Sequence, residues 1–258
     1  MNRDRLASLA IVAITFTQVA TAQSEALWLR YGAISPDGHT IAFSYKGDLW
    51  SVPATGGQAT LLTTSEAYER SPVWSPDGKQ LAFASNRHGN YDVFVMPAKG
   101  GAATRLTWHS ANDIPSAFTP DGAQVLFTSS RMLATSDRQF PDAGLGELYT
   151  VPLSGGKAVQ LISSAAHHAR YAPDGTSIVY EDRKGYEDIF RKHHTSSVTR
   201  DIWTYNTGTK AYNRISTYAG ENLDPVFSPD GREVYYLSEE HGTMNVYRRP
   251  ANGGRQRR

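Results

Sequence analysis

The sequence predicts an all-β protein, a β-propeller of four-stranded antiparallel blades, and three observations carry this prediction. A Pro-Asp-Gly turn recurs five times, at intervals of 40, 44, 53 and 56 residues. Short strand-like segments follow every turn. Within those segments, large and small apolar residues alternate. Blades repeated around an axis combine a period of this length with short strands.

The turn has a physical explanation at each of its positions. Proline presets the backbone at the second position, aspartate suits the third, and glycine tolerates the fourth. The aspartates are therefore expected to form turns rather than a ring of ligand-binding carboxylates. The five copies are Pro36-Asp37, Pro76-Asp77, Pro120-Asp121, Pro173-Asp174 and Pro229-Asp230, each followed by glycine.

Each repeat is expected to contribute four strands, of which the first leads into the turn, as residues 71–74 do. The predicted second strands are 40–45, 80–85, 124–129, 176–181 and 233–238. The predicted third strands are 48–52, 92–96, 147–151, 201–205 and 245–249, and the fourth strands include 59–62, 104–107 and 159–162.

The side-chain pattern favours blades over a two-layer sandwich. In the segment 80–85, Leu81 and Phe83 face one way while Ala82 and Ala84 face the other. A sheet that is apolar on both faces is covered on both, and the large/small alternation lets neighbouring blades nest. A β-helix is the main structural alternative, but its coils are far shorter than 40 residues.

Trp50, Trp74 and Trp203 are expected in the core.

The fifth repeat is incomplete. After its third strand come Gly253-Gly254 and Arg-Gln-Arg-Arg, where a fourth strand is expected. We therefore expect residues 23–258 to form about five blades of a truncated, larger propeller. The alternative left open is that residues 25–29 supply the missing strand and close a five-bladed ring.

Residues 1–22 have the pattern of a secretory signal peptide. Arg3 and Arg5 precede an apolar stretch, and small residues end it before Gln23. The stretch is interrupted by polar residues and is shorter than the roughly 20 residues that span a bilayer. We expect cleavage, a periplasmic protein, and no membrane span afterwards.

Composition excludes several classes of function. The 258 residues contain no cysteine, which rules out disulfide scaffolds, thiolate metal sites and a cysteine nucleophile. Residues 1–22 hold two of the 26 basic and one of the 25 acidic residues, so the rest has 24 of each. A nucleic-acid partner is not expected, because such proteins usually carry a basic stripe.

The repeats at 35–63 and 75–107 resemble the WD-like repeats of TolB-type proteins. They resemble more closely the amino-terminal propeller of tricorn-like, tail-specific-type serine peptidases. Three details favour the tricorn-like branch: the opening LWLRY (27–31), the Gly-Gly of VPATGG (52–57), and the insert YEDIFRKHHTSSVTRDIW (186–203). The resemblance covers residues 25–254.

This resemblance implies a non-catalytic propeller that gates or binds peptide substrates and supports assembly. In that family a PDZ-like module and a peptidase domain follow the propeller, and these missing domains of a longer parent carry the catalytic residues. No position here matches those motifs, so whether the chain belongs to an enzyme is left open. The implied partners are peptides or unfolded protein segments, with a homo-oligomer possible.

Two rival functions remain. One is a stand-alone TolB-like interaction module of the cell envelope. The other is an enzyme with its own active site at the central pore. This alternative has less support, because the sequence contains no nucleophile elbow, zinc-protease motif or phosphate-binding loop. No cofactor and no metal site are expected.

The strongest polar cluster lies in the 186–203 insert. Its candidate peptide-binding or interface residues are Arg191, Lys192, His193, His194 and Arg200. Adjacent histidines on an extended chain point to opposite sides, which disfavours joint ligation of one ion by either His193-His194 or His167-His168. A second insert, 131–146, has the composition of a surface loop.

Overall fold

The computed structural model describes residues 28–131, 145–184 and 195–253, which form 19 β-strands. None of these residues belongs to a helix that is long and apolar enough to cross a membrane. The predicted signal peptide lies outside the described residues, as does most of the 131–146 insert.

The strands form five antiparallel sheets, each built from consecutive segments of the chain. Blade 1 contains β1 (Arg30–Ile34), β2 (Thr40–Tyr45), β3 (Asp48–Pro53) and β4 (Thr60–Leu61). Blade 2 contains β5 (Glu69–Trp74), β6 (Gln80–Ser85), β7 (Asp92–Pro97) and β8 (Thr104–Arg105). Blade 3 contains β9 (Asp113–Phe118), β10 (Gln124–Ser129), β11 (Glu147–Pro152) and β12 (Val159–Ile162). Blade 4 contains β13 (Ala166–Tyr171), β14 (Ser177–Asp182), β15 (Ile202–Asn206) and β16 (Tyr212–Arg214), and blade 5 contains β17 (Asn222–Phe227), β18 (Glu233–Ser238) and β19 (Asn245–Pro250).

This architecture confirms the predicted five-bladed arrangement with three strands in the last blade. The second strands of four blades have the predicted bounds, and that of blade 4 is shifted by one residue, to Ser177–Asp182. The fourth strands of blades 1 and 2 are shorter than predicted, at two residues each. An outermost strand is hydrogen-bonded to a neighbour on one side only, so the pairing at its ends is lost most easily and the strand is short.

The first strands of the blades surround the propeller axis. Strand β1 packs against β5, β5 against β9, β9 against β13, and β13 against β17. No comparable packing joins β17 back to β1 among the described strands. The ring is therefore open between blades 5 and 1 over the part of the chain that the structure describes.

The hydrophobic core lies between the blades, and alternate residues of one strand serve different seams. Leu81 and Phe83 of β6 pack with Leu49 of blade 1, whereas Ala82 packs with Phe127 of blade 3. This confirms the predicted large/small alternation. Four such clusters hold blades 1–2, 2–3, 3–4 and 4–5 together.

The tryptophans divide between core and open surface. Trp74 and Trp203 pack against core clusters as predicted, and each indole N–H has an acceptor: Ala33 O at 3.0 Å and Asp182 Oδ2 at 3.0 Å. Trp50 does not join a core cluster. It lies on the outer face of blade 1, which has no neighbouring blade among the described residues.

The Pro-Asp-Gly turns are stabilised by their own side chains. In blade 2, Asp77 Oδ1 accepts hydrogen bonds from Ser75 Oγ at 2.7 Å and from the Lys79 backbone N–H at 3.0 Å. These bonds hold the pKa of the Asp77 carboxyl below its usual value. Gly78 has a φ of +68°, which glycine adopts without strain. The aspartate is thus a turn former, as predicted.

A β-bulge interrupts the first strand of four blades at equivalent positions. In β5 the register shifts between Arg70 and Val73, so two residues oppose one on β6. Strands β1, β13 and β17 have the same irregularity. The first bulged residue has a left-handed backbone in each case, with φ between 50° and 55°, and these residues are Tyr31, Ser71, His168 and Asp224. In blade 3 the equivalent residue is Pro115, whose ring forbids such a φ.

The two faces beside the opening carry apolar side chains and pack against no neighbouring blade among the described residues. On blade 1, Ile41, Phe43, Trp50 and Val52 line a groove of about 490 Å³. On blade 5, Val246 of β19 is 69% exposed. Of the segment proposed to close the ring, residues 25–27 lie outside the described residues, while Trp28 and Leu29 are exposed and precede β1.

We expect purified residues 23–258 to self-associate reversibly, because an uncovered strand edge and an apolar face are templates for pairing with another chain. Sedimentation velocity over a wide concentration range should show association. Val52→Lys should weaken it, because the charge would enter the groove. Val159→Lys, on the exposed edge of blade 3, is the control and should leave it unchanged. A monomer at every concentration would contradict this expectation.

Candidate functional site

The strand ends that flank the two inserts lie on the same face of the propeller. The inserts connect the second strand to the third in blades 3 and 4, whereas the Pro-Asp-Gly turns connect the first strand to the second. Successive connections in an antiparallel blade begin at opposite ends, so the strand ends that flank the inserts and these turns lie on opposite faces. We call the face at which the strands flanking both inserts end the insert face.

Of the residues singled out in the 186–203 insert, only Arg200 is described, and Arg191, Lys192, His193 and His194 lie outside the described residues. The Arg200 guanidinium donates to Glu221 Oε2 through Nε at 2.8 Å. Its Nη1 lies 3.4 Å from Glu181 Oε1. With 22% of the side chain exposed, Arg200 is held between two carboxylates.

Glu181 belongs to a compact cluster at the axis, where blades 4 and 5 meet. His168 Nδ1 lies 2.8 Å from Asp224 Oδ1 and 3.3 Å from Glu181 Oε1. The backbone N–H of Asp224 donates to Glu181 Oε2 at 2.9 Å. The Glu181 side chain is only 2% exposed, whereas those of His168 and Asp224 are more than half exposed. We call these three residues the axial cluster.

The bulges bring the axial cluster together. His168 and Asp224 are the left-handed residues of β13 and β17, and each lies five positions before its turn proline. Glu181 lies in β14, beside the bulged segment of β13. A bulge re-aims side chains in this way, which is why bulges are frequent near functional sites.

Charge determines the protonation of the axial cluster. Hydrogen bonds to Asp224 and Glu181 raise the pKa of His168 to about 9, against a smaller opposing effect of partial desolvation. The hydrogen bond from His168 lowers the pKa of Asp224. Burial alone would raise the pKa of Glu181, but His168 and Arg200 bring it below its usual value. At neutral pH the cluster is thus an imidazolium between two carboxylates.

The neighbouring His167 has a different environment. Its ring packs beside Gly146 of blade 3, and burial lowers its pKa to about 4. Its Nε2 is buried without a hydrogen-bond partner among the described residues. The two adjacent histidines therefore serve different blades, and His168 finds its partners in Glu181 and Asp224 instead.

A cationic and aromatic cluster is formed by the first strands of blades 1 and 2 and by the connection between β6 and β7. The Arg70 guanidinium lies 4.2 Å from the centre of the Tyr91 ring and 5.8 Å from that of Tyr31. Its Nη1 also donates to the Tyr31 hydroxyl at 3.4 Å. The axis is thus flanked by Arg70 on one side and by the axial cluster on another.

Sequence reasoning missed the axial cluster because its residues come from three strands of two blades. One signal was available in the repeat. Counting five residues back from each turn proline gives Tyr31, Ser71, Pro115, His168 and Asp224. Aligning the repeats on this position would have placed His168 and Asp224 in adjacent blades at the same height along the axis.

Comparison with known proteins gives consistent results. The profile of the family described as the tricorn protease N-terminal beta propeller domain matches residues 26–217. Tricorn protease homolog 1 of Streptomyces coelicolor is 28% identical over 225 residues, which cover 86% of this chain. The chain spans only 20% of the length of that relative.

Two solved structures share the fold. The crystal structure of the tricorn protease superposes with a TM-score of 0.71 at 22% identity, over 88% of this chain and 22% of the other. The structure of a TolB from Agrobacterium tumefaciens superposes with a TM-score of 0.71 at 18% identity, over 88% of this chain and 79% of the other. At these identities the likeness concerns the fold.

Proposed function

Because the chain belongs to the family of tricorn protease N-terminal β-propeller domains, we propose that it is the non-catalytic propeller of a tricorn-like serine peptidase. In this role it binds or guides peptides or unfolded segments and supports assembly of the parent. The family match over residues 26–217 is the observation that carries this proposal. The PDZ-like and peptidase domains are then further parts of the same parent protein.

The charges around the axis support a peptide as the guided ligand. A peptide carries an ammonium at one end and a carboxylate at the other. Arg70 presents a cation at the axis, and Asp224 presents an exposed carboxylate on another blade. Fixed charges of both signs attract and orient a dipolar ligand.

The basic residues of the insert 186–203 also favour a peptide as the ligand. Arg200 anchors the end of the insert to blade 4 through Glu181. We propose that Arg191, Lys192, His193 and His194 form a basic lip on the insert face that attracts peptide carboxylates. Within this proposal, Arg200 holds the insert in place.

A binding experiment tests the peptide role. We expect a fluorescent peptide with a free carboxylate to bind the purified chain, and the variant with alanine at 191–194 to bind it several-fold more weakly, since four basic groups are removed. Replacing Lys79 and Arg232, exposed cations of the opposite turn face, with alanine is the control. Equal losses in both variants would contradict the basic lip.

The same preparation tests the absence of catalysis. No hydrolysis of peptides is expected from residues 23–258. Activity that survives repurification and disappears on replacement of one serine within 25–254 would overturn the non-catalytic assignment.

A stand-alone TolB-like module of the envelope is the second candidate, favoured by the TolB superposition over most of both chains. Sequencing the gene beyond codon 258 separates the two. A continuing reading frame with PDZ-like and peptidase domains supports the tricorn-like proposal, whereas a stop codon there supports the TolB-like one.

A periplasmic location is part of the proposal and rests on residues 1–22. Mass spectrometry of the exported protein should find a chain that begins at Gln23. Membrane-bound material that retains Met1 would contradict export by a cleaved signal.

A further inference from the structure

The axial cluster has a geometry that goes beyond an ion pair. One ligating atom from each of His168, Glu181 and Asp224 lies within 4.8 Å of the other two. In the part of the chain that the structure describes, no other group of three or more His, Asp or Glu side chains meets this condition. The three ligands come from two blades, so the arrangement depends on the folded propeller.

The separations are somewhat shorter than those around a small divalent cation. Zn–N and Zn–O bonds of about 2.1 Å at a tetrahedral centre place neighbouring ligand atoms about 3.4 Å apart. His168 Nδ1 is 2.8 Å from Asp224 Oδ1 and 3.3 Å from Glu181 Oε1. A cation between these atoms therefore needs only small side-chain movements.

The cluster combines a fixed ligand with accessible ones. Glu181 is buried and is oriented by the Asp224 backbone N–H through its second oxygen, Oε2. His168 and Asp224 are more than half exposed, which leaves a path from solvent. An exposed site with three protein ligands keeps a coordination position for water or for a ligand.

We propose that His168, Glu181 and Asp224 bind one divalent cation of the zinc class, which links blades 4 and 5 at the axis. One imidazole and two carboxylates suit Zn²⁺ or Mn²⁺, whereas Mg²⁺ and Ca²⁺ prefer sites made of oxygen alone. The proposal concerns this chain alone and does not depend on the tricorn-like assignment.

Binding has a defined balance of charge. The cation takes the place of the proton on His168 Nδ1, and that proton passes to solvent. Arg200 remains bound to Glu221 through Nε, and its Nη1 contact with Glu181 is the longer of its two ion pairs. The nearby guanidinium opposes a second positive charge, so binding of moderate affinity is expected.

Zn²⁺ alone is the probe. Isothermal titration of the purified chain, freed of metal with a chelator, should show one saturable equivalent, and Zn²⁺ should raise the melting temperature. His168→Gln and Asp224→Asn should each weaken binding by more than about tenfold, because each removes one of three ligands. His39→Ala, an exposed histidine on the turn face, should bind as the wild type does.

Co²⁺ provides a second readout at the site itself. Its visible absorption should appear with the wild type and the His39→Ala variant and be lost with both ligand variants. Melting curves without metal establish that the variants are folded. Wild-type affinity in a folded His168→Gln or Asp224→Asn variant, or no saturable binding to the wild type, would overturn the proposal.

Discussion

Replacing Phe83 with alanine is expected to lower the free energy of unfolding by about 4 kcal/mol. Phe83 is fully buried at the seam between blades 1 and 2, and its ring stacks on that of Phe94 with the centroids 5.8 Å apart. The seam is lined by residues of two sheets, so the surroundings collapse only partly into the space left behind. Equilibrium denaturation in urea measures the change.

Val159→Ala is the control for this prediction. Val159 is 60% exposed on the outermost strand of blade 3, and its truncation should change the free energy of unfolding by no more than about 0.5 kcal/mol. Equal effects of the two substitutions would mean that the interblade seam contributes little to stability.

Arg87→Met is expected to destabilise the protein by about 3 kcal/mol, because it leaves the Glu69 carboxylate buried without its cation. Arg87 pairs with Glu69, whose side chain has no exposed surface, and the guanidinium lies 4.5 Å from the centre of the Phe94 ring. Its Nε also donates to Ser85 Oγ at 3.0 Å. The free energy of unfolding again provides the measurement.

Two further variants isolate the cause. Adding Glu69→Gln to Arg87→Met should recover part of the loss, since a neutral amide is less costly to bury than an unpaired carboxylate. Lys79→Met breaks a solvent-exposed pair with Asp77 and should cost less than about 1 kcal/mol. If the double variant is no more stable than Arg87→Met, the buried charge is not the cause of the loss.

The fold could be predicted from the sequence because its determinants are local and repeated. A turn such as Ser75-Pro76-Asp77-Gly78 closes through bonds between residues two to five positions apart. The alternation in 80–85 then assigns each side chain to one of two seams. These regularities fix the strands and their order without knowledge of distant contacts.

The axial cluster could not be predicted in the same way, because it depends on how one blade is rotated against the next. His168 and Asp224 are 56 residues apart, and nothing near either residue indicates the other. The buried pair Glu69–Arg87 was also missed. Its signal is a repeated Ser-x-Arg after the second strand, at 85–87 and again at 129–131, where Arg131 pairs with Asp113.

The first strands of a propeller contribute both to packing between blades and to the chemistry at the axis. The bulge assigns these two roles to different residues. Leu81 and Ala82 must fit neighbouring blades, so their identities are constrained by packing. Ser71, the left-handed residue opposite Phe83, belongs to no ladder pair, and its side chain is not part of the hydrophobic clusters between the blades. Tyrosine, serine, histidine and aspartate all occupy this position in a single chain. Four of the five blades can therefore acquire a new chemical group at this position by one codon change, while the packing that holds the blades together stays as it is.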